Sequence, residues 1–302
     1  MAFFVPESYE NFYDETIQRF KLLLQKQVLT GIDFGNLDQW LSNFQSKEEK
    51  YLAAHLLNSL IYRSGHMLCS SFQHLMHSEL PVFLHRNGFQ TPQGLVAFHT
   101  QLQEAEQDCA IRFVAVDGEF EQAPGKSGSV IIRKFAQHLN ISKKILCRPG
   151  NVAALPEHVK FLIFVDDMLG TGTQFAKFAK FYKLDELRAR FAMAYSPQLS
   201  HAQGIAHVAK HYPWLNLLPI ERMGPEHQFF RAKGLDGLWH GDATNKVEDV
   251  KHFCDALSQR NEIPKRTRHS LDLAVLFEHA APNNTLPLYW AKSNHWHPLI
   301  AR

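Results

Sequence analysis

From residue 12 to about residue 107, apolar positions recur at three- and four-residue spacing, the period of helices with one buried face. Phe12, Thr16, Ile17, Phe20, Leu23, Leu24 and Gln27 trace the first. A second starts at Ser46, where Ser-Lys-Glu-Glu offers a capping box, and runs through Leu52, Leu56, Leu57, Leu60 and Ile61 until Gly65 weakens it. Thr91-Pro92 reads as the N-cap and first position of a third, reaching about Gln107.

From residue 108 the texture changes to short apolar runs separated by helical stretches. Strands are expected over 111–116, 144–147, 161–165, 190–195 and 215–220, with helices over 129–139, from the early 170s to 183, and over 201–211. Alternating β and α elements predict an α/β fold, a mostly parallel sheet with helices on both faces. The expected division is a helical N-terminal extension over 1–107 and an α/β domain over 108–302, ending in a segment that completes or covers the site. No internal repeat, low-complexity tract or linker interrupts the pattern.

Composition narrows the function classes. The chain has 302 residues, 45% of them apolar, enough for a sizeable core. Lys plus Arg number 32 against 30 Asp plus Glu, a net charge of +2, so no strongly basic surface for gripping nucleic acid is expected. The 18 histidines are scattered, and the close pairs His207/His211 and His295/His297 lack the Cys or acidic companions of a zinc cage. Cys69, Cys109, Cys147 and Cys254 lie far apart, which suits a reducing compartment. The N-terminus has no signal-peptide pattern, and the dense apolar run at 161–165 is too short for a bilayer, so a soluble cytoplasmic protein is expected.

The chemistry concentrates in residues 161–175, Phe-Leu-Ile-Phe-Val-Asp-Asp-Met-Leu-Gly-Thr-Gly-Thr-Gln-Phe: an apolar strand, two carboxylates, a Gly/Thr loop and a helix. Gly170 and Gly172 permit close backbone approach, the following helix offers unpaired N–H groups to a phosphate, and Thr171 and Thr173 add hydroxyls. Asp166 and Asp167 repel a phosphate but accept hydrogen bonds from ribose hydroxyls, and their charge favours an oxocarbenium-like transition state at the anomeric carbon. Mg²⁺ could sit between this pair and a pyrophosphate.

A second loop, after residues 111–116, carries Gly125, Lys126, Ser127 and Gly128 just before a helix, again suited to an anion. Gly-Lys-Ser beside a strand ending Asp-Asp also raises a P-loop ATPase. Its spacing is wrong: Gly118 lies too far before Gly125, and Gly-Thr-Gly-Thr has no role in that scheme.

The segment 161–174 resembles the signature of type I phosphoribosyltransferases, which implies their sheet and a site for phosphoribosyl pyrophosphate. By that resemblance Asp166 and Asp167 hold ribose, stabilise charge and accept Mg²⁺. Gly170, Thr171, Gly172, Thr173 and Gln174 take the 5′-phosphate, and Lys126, Ser127 and Gly128 the pyrophosphate. Gln174 departs from the family, which usually ends this loop with Thr. Residues 282–287, Pro-Asn-Asn-Thr-Leu-Pro, together with Asp-Asp-Met-Leu-Gly-Thr-Gly-Thr-Gln-Phe and the helical region 40–63, more closely resemble the bacterial PRTase-CE family of conflict systems.

This second resemblance implies an effector of antiviral defence, in some relatives encoded beside a retron reverse transcriptase and its RNA/DNA hybrid; a DNA-binding protein is the other partner considered, and an oligomer is compatible. Arg222, at a predicted strand end, and Asn283 and Asn284 are candidate base or substrate contacts, and Trp290 and Trp296 could stack on a base. The short connection from Cys147 to Phe161 leaves little room for a long closing loop. Hydrolysis, or a nucleotide-sensing or scaffold subunit that binds without turnover, therefore stands beside transfer.

Overall fold

A computed structural model describes residues 3–92, 94–116, 127–231, 237–239, 241–266 and 270–300. From the N-terminus come helices α1 (Tyr9–Gln25), α2 (Phe34–Leu41) and α3 (Lys47–Ser59), then strand β1 (Ile61–Arg63). Helices α4 (Gly65–His74), α5 (Leu80–Arg86) and α6 (Leu95–Gln103) precede β2 (Ile111–Ala115), α7 (Ser127–His138), β3 (Leu146–Cys147) and β4 (Phe161–Leu169). The chain continues through α8 (Thr173–Phe181), α9 (Leu184–Leu187), β5 (Ala192–His201), α10 (Ala202–His211), β6 (Asn216–Leu217), β7 (Glu221–Met223), α11 (Val247–Arg260) and β8 (Val275–Phe277).

These elements gather into two compact units, one of Met1–Gly65 with Gly224–Arg302 and one of His66–Met223. The change of texture near residue 107 falls inside the second unit, so the helices over 66–107 belong with the sheet.

In the first unit, α1 turns Ile17, Phe20 and Leu24 inward, and α3 contributes Leu52 and Leu56 to the same core. The expected capping box at Ser46 is formed: its hydroxyl accepts from the Glu49 amide, and Glu49 accepts from the Ser46 amide. Parallel pairing of β1 with β8 sets Ile61, Tyr62 and Arg63 opposite Val275, Leu276 and Phe277. The C-terminal segment locks onto α2 and α3. The Leu288 carbonyl accepts both the Trp40 indole N–H (2.8 Å) and the Trp296 indole N–H (3.1 Å), while the Tyr289 hydroxyl donates to the Leu56 carbonyl (2.8 Å). Trp296 is a buried anchor, and Trp290 donates to the Thr285 carbonyl at 3.3 Å.

The second unit holds the mostly parallel sheet expected, in the order β3-β2-β4-β5-β6, with β7 pairing β5 further along the same edge. Strands β2 and the first half of β4 are buried throughout, which is why they read as unbroken apolar runs rather than alternating ones. One face carries Phe164, Phe175, Phe178, Met193 and Tyr195. Elsewhere in the unit Phe135 of α7 meets Phe113 of β2 and Phe72 of α4, and Phe83 and Phe89 meet Phe161.

Several boundaries differ from the pattern-based expectation. The third helix starts at Leu95 behind Gly94 (φ +91°) instead of at Thr91-Pro92. The strand expected over 215–220 is split into β6 and β7 around Pro219, which has no N–H for the ladder. Residues 143–145 form a 3-10 turn that leaves β3 two residues long. Strand β5 runs six residues beyond its expected end, through Ser-Pro-Gln-Leu-Ser-His. Among the described residues, no helix is long and apolar enough to cross a membrane.

Candidate functional site

Strand order reverses at β2 and β4: β3 lies on the far side of β2, while β5 and β6 follow β4. In open parallel sheets a crevice opens at the carboxyl ends of the two strands flanking such a reversal. The Val116 amide still donates to the Val165 carbonyl (3.1 Å), so the end of β2 lies beside β4 where the acidic pair begins. The residues from 117 to 126, including Lys126, lie outside the described ones, as does the side chain of Ser127. Ser127 opens α7, and Gly128 is buried in its first turn.

The acidic pair does not cap β4, as expected; the strand continues to Leu169, with Asp166 opposite Pro197 and Met168 opposite Leu199. Asp166 is 1% exposed and Asp167 8%. Both oxygens of Asp166 are engaged: the Tyr195 hydroxyl donates to Oδ2 at 2.7 Å and the Asp167 amide to Oδ1 at 2.9 Å. Tyr195 is itself fixed, its ring stacked on Phe175 with centroids 4.1 Å apart. Burial, and then the neighbouring Asp167 carboxylate, push the Asp166 carboxyl well above the ordinary carboxylate range; the hydrogen bond from Tyr195 opposes this without overcoming it. Burial and the Asp166 charge likewise raise the Tyr195 phenol. Asp166 is thus held on both oxygens inside the protein, while Asp167 beside it is slightly more exposed.

Beyond β4 the chain bends at Gly172, whose φ of +84° lies in the left-handed region that glycine occupies without strain. A Cβ there would stand 2.8 Å from His207 Cδ2 on α10, so the bend also needs glycine for space. Gly204 of α10 does the same for the loop from the other side: a Cβ would come within 2.4 Å of the Gly170 carbonyl oxygen. Gly172 is the N-cap of α8 and has no side chain to cap that end; the Thr173 amide donates to the Thr171 hydroxyl, and the rest of the first turn with the positive end of the helix dipole suits an anion. The Thr171 and Thr173 hydroxyls lie 3.0 Å apart, and Thr171 Oγ1 is 3.4 Å from the Thr173 amide. Gln174 occupies the second position of the helix.

Arg222 is exposed on β7, in register with Ser200 of β5. Asn283 and Asn284 belong to the other compact unit, where the Asn284 carbonyl accepts from the Leu273 amide and the next residue, Thr285, donates its hydroxyl to the Val275 carbonyl at 2.6 Å. That is turn chemistry tying the segment to β8.

Mg²⁺ prefers six oxygens in octahedral array and usually takes one or two carboxylates plus waters and phosphates. Asp166 does not fit such a role, being buried, already bonded through both oxygens and drawn toward its neutral form. Among the described residues no three His, Cys, Asp or Glu side chains gather as a metal cage. Of the pair, only Asp167 remains as a donor, too few protein oxygens to hold the ion by themselves.

Tyr195, His207, Gly204 and the polar residues of β5 were missed by sequence reasoning. Only β5 carried a usable signal, because Ser196, Gln198 and Ser200 alternate with apolar neighbours at strand spacing.

Comparison with known proteins gives four findings. The model of the PRTase-CE family matches residues 37–302. Among solved structures, orotate phosphoribosyltransferase from Aeropyrum pernix aligns at 15% identity and a TM-score of 0.26, covering 40% of this chain and 65% of that one, just under two thirds of its length. The AQ2163 protein from Aquifex aeolicus aligns at 12% identity and a TM-score of 0.31, covering 57% of this chain and 84% of that one. No curated protein sequence matches.

Proposed function

Because this chain belongs to the PRTase-CE family, a phosphoribosyltransferase-like family, we propose that it binds phosphoribosyl pyrophosphate or a related nucleotide and acts at the anomeric carbon of the ribose. The observation that carries this reading is the continuous run from Asp167 at the reversal point of the sheet to the left-handed Gly172 and the start of α8. In this reading the first-turn amides with Thr171, Thr173 and Gln174 take the 5′-phosphate, and Asp167 accepts the ribose hydroxyls and stabilises positive charge developing at the anomeric carbon. Asp166, held by Tyr195, keeps the strand end in place. Lys126, Ser127 and Gly128 receive the pyrophosphate. Mg²⁺ would enter with that pyrophosphate and neutralise its charge.

A second reading, binding without turnover, is favoured by the connection between β3 and β4. Residues 148–160 are taken up by a 3-10 helix, Pro149–Ala154, and a turn closed by the Val159 amide on the Pro156 carbonyl (3.1 Å). Little chain is left there to exclude water during transfer. In either reading the setting is a cytoplasmic effector of bacterial antiviral defence, working beside a reverse transcriptase with its RNA/DNA hybrid or a DNA-binding protein.

Incubation with phosphoribosyl pyrophosphate and Mg²⁺, and separately with nucleotides, followed by assay of released pyrophosphate or base, separates the readings. Release that falls about 10²–10³-fold in Asp167→Asn supports chemistry at this site. Binding with no release supports the sensing role, and release unchanged in Asp167→Asn contradicts the assignment.

A further inference from the structure

Strand β5 carries Ser196, Gln198 and Ser200 at alternate positions, and hence on one face of the sheet. Their exposures are 0%, 1% and 0%. Ser196 Oγ, both Gln198 amide atoms and Ser200 Oγ have no hydrogen-bond partner among the described residues. Folded proteins pair nearly all buried polar atoms, so four unpaired atoms in one row need an explanation. Core packing does not supply it, since apolar residues of the same size would fill the space without forfeiting hydrogen bonds to water.

The row lies beside the acidic pair. Asp166 stands opposite Pro197 and Met168 opposite Leu199, so Asp167 stands opposite Gln198, and in-register residues of parallel strands share a face about 4.8 Å apart. Arg222, opposite Ser200, marks the exposed end of the same row. At about 6.6 Å between alternate residues, the row from Ser196 to Ser200 extends about 13 Å, the scale of a nucleoside.

We propose that Ser196, Gln198 and Ser200 form the wall that reads the heterocyclic base of a nucleoside 5′-phosphate whose ribose is held by Asp167. This rests on the sugar-phosphate reading above and deepens it by naming the substrate class. The chemistry is specific. A primary amide presents one donor group beside one acceptor, complementary to the adjacent acceptor and donor on the edge of a pyrimidine or purine, and each hydroxyl adds a group that can serve as either. The row carries no charge, which suits a neutral heterocycle rather than a carboxylate or phosphate.

The test titrates ribose 5-phosphate and the 5′-monophosphates of uridine, cytidine, adenosine and guanosine into the wild-type protein and into Gln198→Met, a change that keeps length and removes both polar atoms. At least one nucleotide should bind the wild type about tenfold more tightly than ribose 5-phosphate, and that advantage should vanish in Gln198→Met while ribose 5-phosphate binds both proteins alike. The ligand-free variant should also melt at or above the wild-type temperature, because an unpaired buried amide has been removed.

Three results overturn the inference. One is ribose 5-phosphate binding to the wild type with no gain from any base; another is a gain that survives in Gln198→Met. The third is a melting temperature falling several degrees in that variant, which would mean that the amide is paired inside the protein. Should Gln198→Met fail to fold, Ser196→Ala and Ser200→Ala carry the same comparison, with loss of the base advantage expected in each. Failure of ribose 5-phosphate itself to bind the wild type would instead bring down the sugar-phosphate reading, and this inference with it.

Discussion

At the scale of single residues, two adjacent aspartates meet different surroundings. The sequence made the pair conspicuous, but the division between them depends on Tyr195, which reaches Asp166 from the neighbouring strand. No local pattern encodes a hydrogen bond between strands so far apart along the chain. A second residue shows how burial sets charge behaviour away from the site. His55 stacks on Trp239, with ring centroids 3.8 Å apart, and burial lowers its pKa from 6.5 to about 4, the charge of Asp242 only partly opposing this. A base whose folded pKa is depressed contributes stability that is full above the unfolded value and is lost as pH falls toward the folded one. Between pH 6.5 and 4 the loss should approach about 3 kcal/mol. Denaturant titrations across that window should show His55→Phe losing less stability than the wild type; parallel curves would mean that His55 titrates normally.

At the scale of elements, the segment from β4 through the bend to α8 was legible because each part has a local cause: an apolar run, glycines where the backbone must turn, hydroxyls before a helix. The length of β5 was not. Ser-Pro-Gln-Leu-Ser reads as a loop when polar residues are assigned to the surface, yet here these residues lie inside, and the sheet ladder carries the strand past Pro197. The buried polar residues of this stretch, Ser196, Gln198 and Ser200, are the ones proposed above to read a base, and a polar row kept inside a sheet departs from the preference for an apolar interior. Gly172 offers the element-scale test. Alanine there must take a left-handed conformation and press its Cβ on His207, so Gly172→Ala should lower stability by about 1–3 kcal/mol and weaken ribose 5-phosphate binding. Unfolding by denaturant together with ligand titration checks both; unchanged values in the two would show that the bend does not need its observed geometry.

At the scale of the whole molecule, the alternation of apolar runs and helices was enough to place the chain among α/β proteins with a mostly parallel sheet. It could not show that the first 65 residues fold with those after Gly224, because the pairing of β1 with β8 joins segments more than two hundred residues apart and each strand is only three residues long. The resemblance of residues 282–287 to a family ending was visible; the clamping of the residues that follow them, Leu288, Tyr289 and Trp296, onto the N-terminal helices was not. Trp296 sits at the centre of that clamp, fully buried with its indole N–H on the Leu288 carbonyl. Trp296→Ala should cost about 3–5 kcal/mol in unfolding of the unit built from the two chain ends, a loss readable by near-ultraviolet circular dichroism against denaturant. A cost below about 1 kcal/mol would mean that the segment is held by something else.

The central claim is that Asp167 and the Gly172 bend together hold a phosphorylated ribose. Calorimetric titration of phosphoribosyl pyrophosphate into the wild type, Asp166→Asn and Asp167→Asn tests it most directly. The account predicts saturable binding to the wild type, nearly equal binding to Asp166→Asn, whose amide reproduces the neutral form of a side chain that touches no ligand, and at least about tenfold weaker binding to Asp167→Asn. No heat of binding in the wild type, or equal affinity in all three proteins, would contradict it.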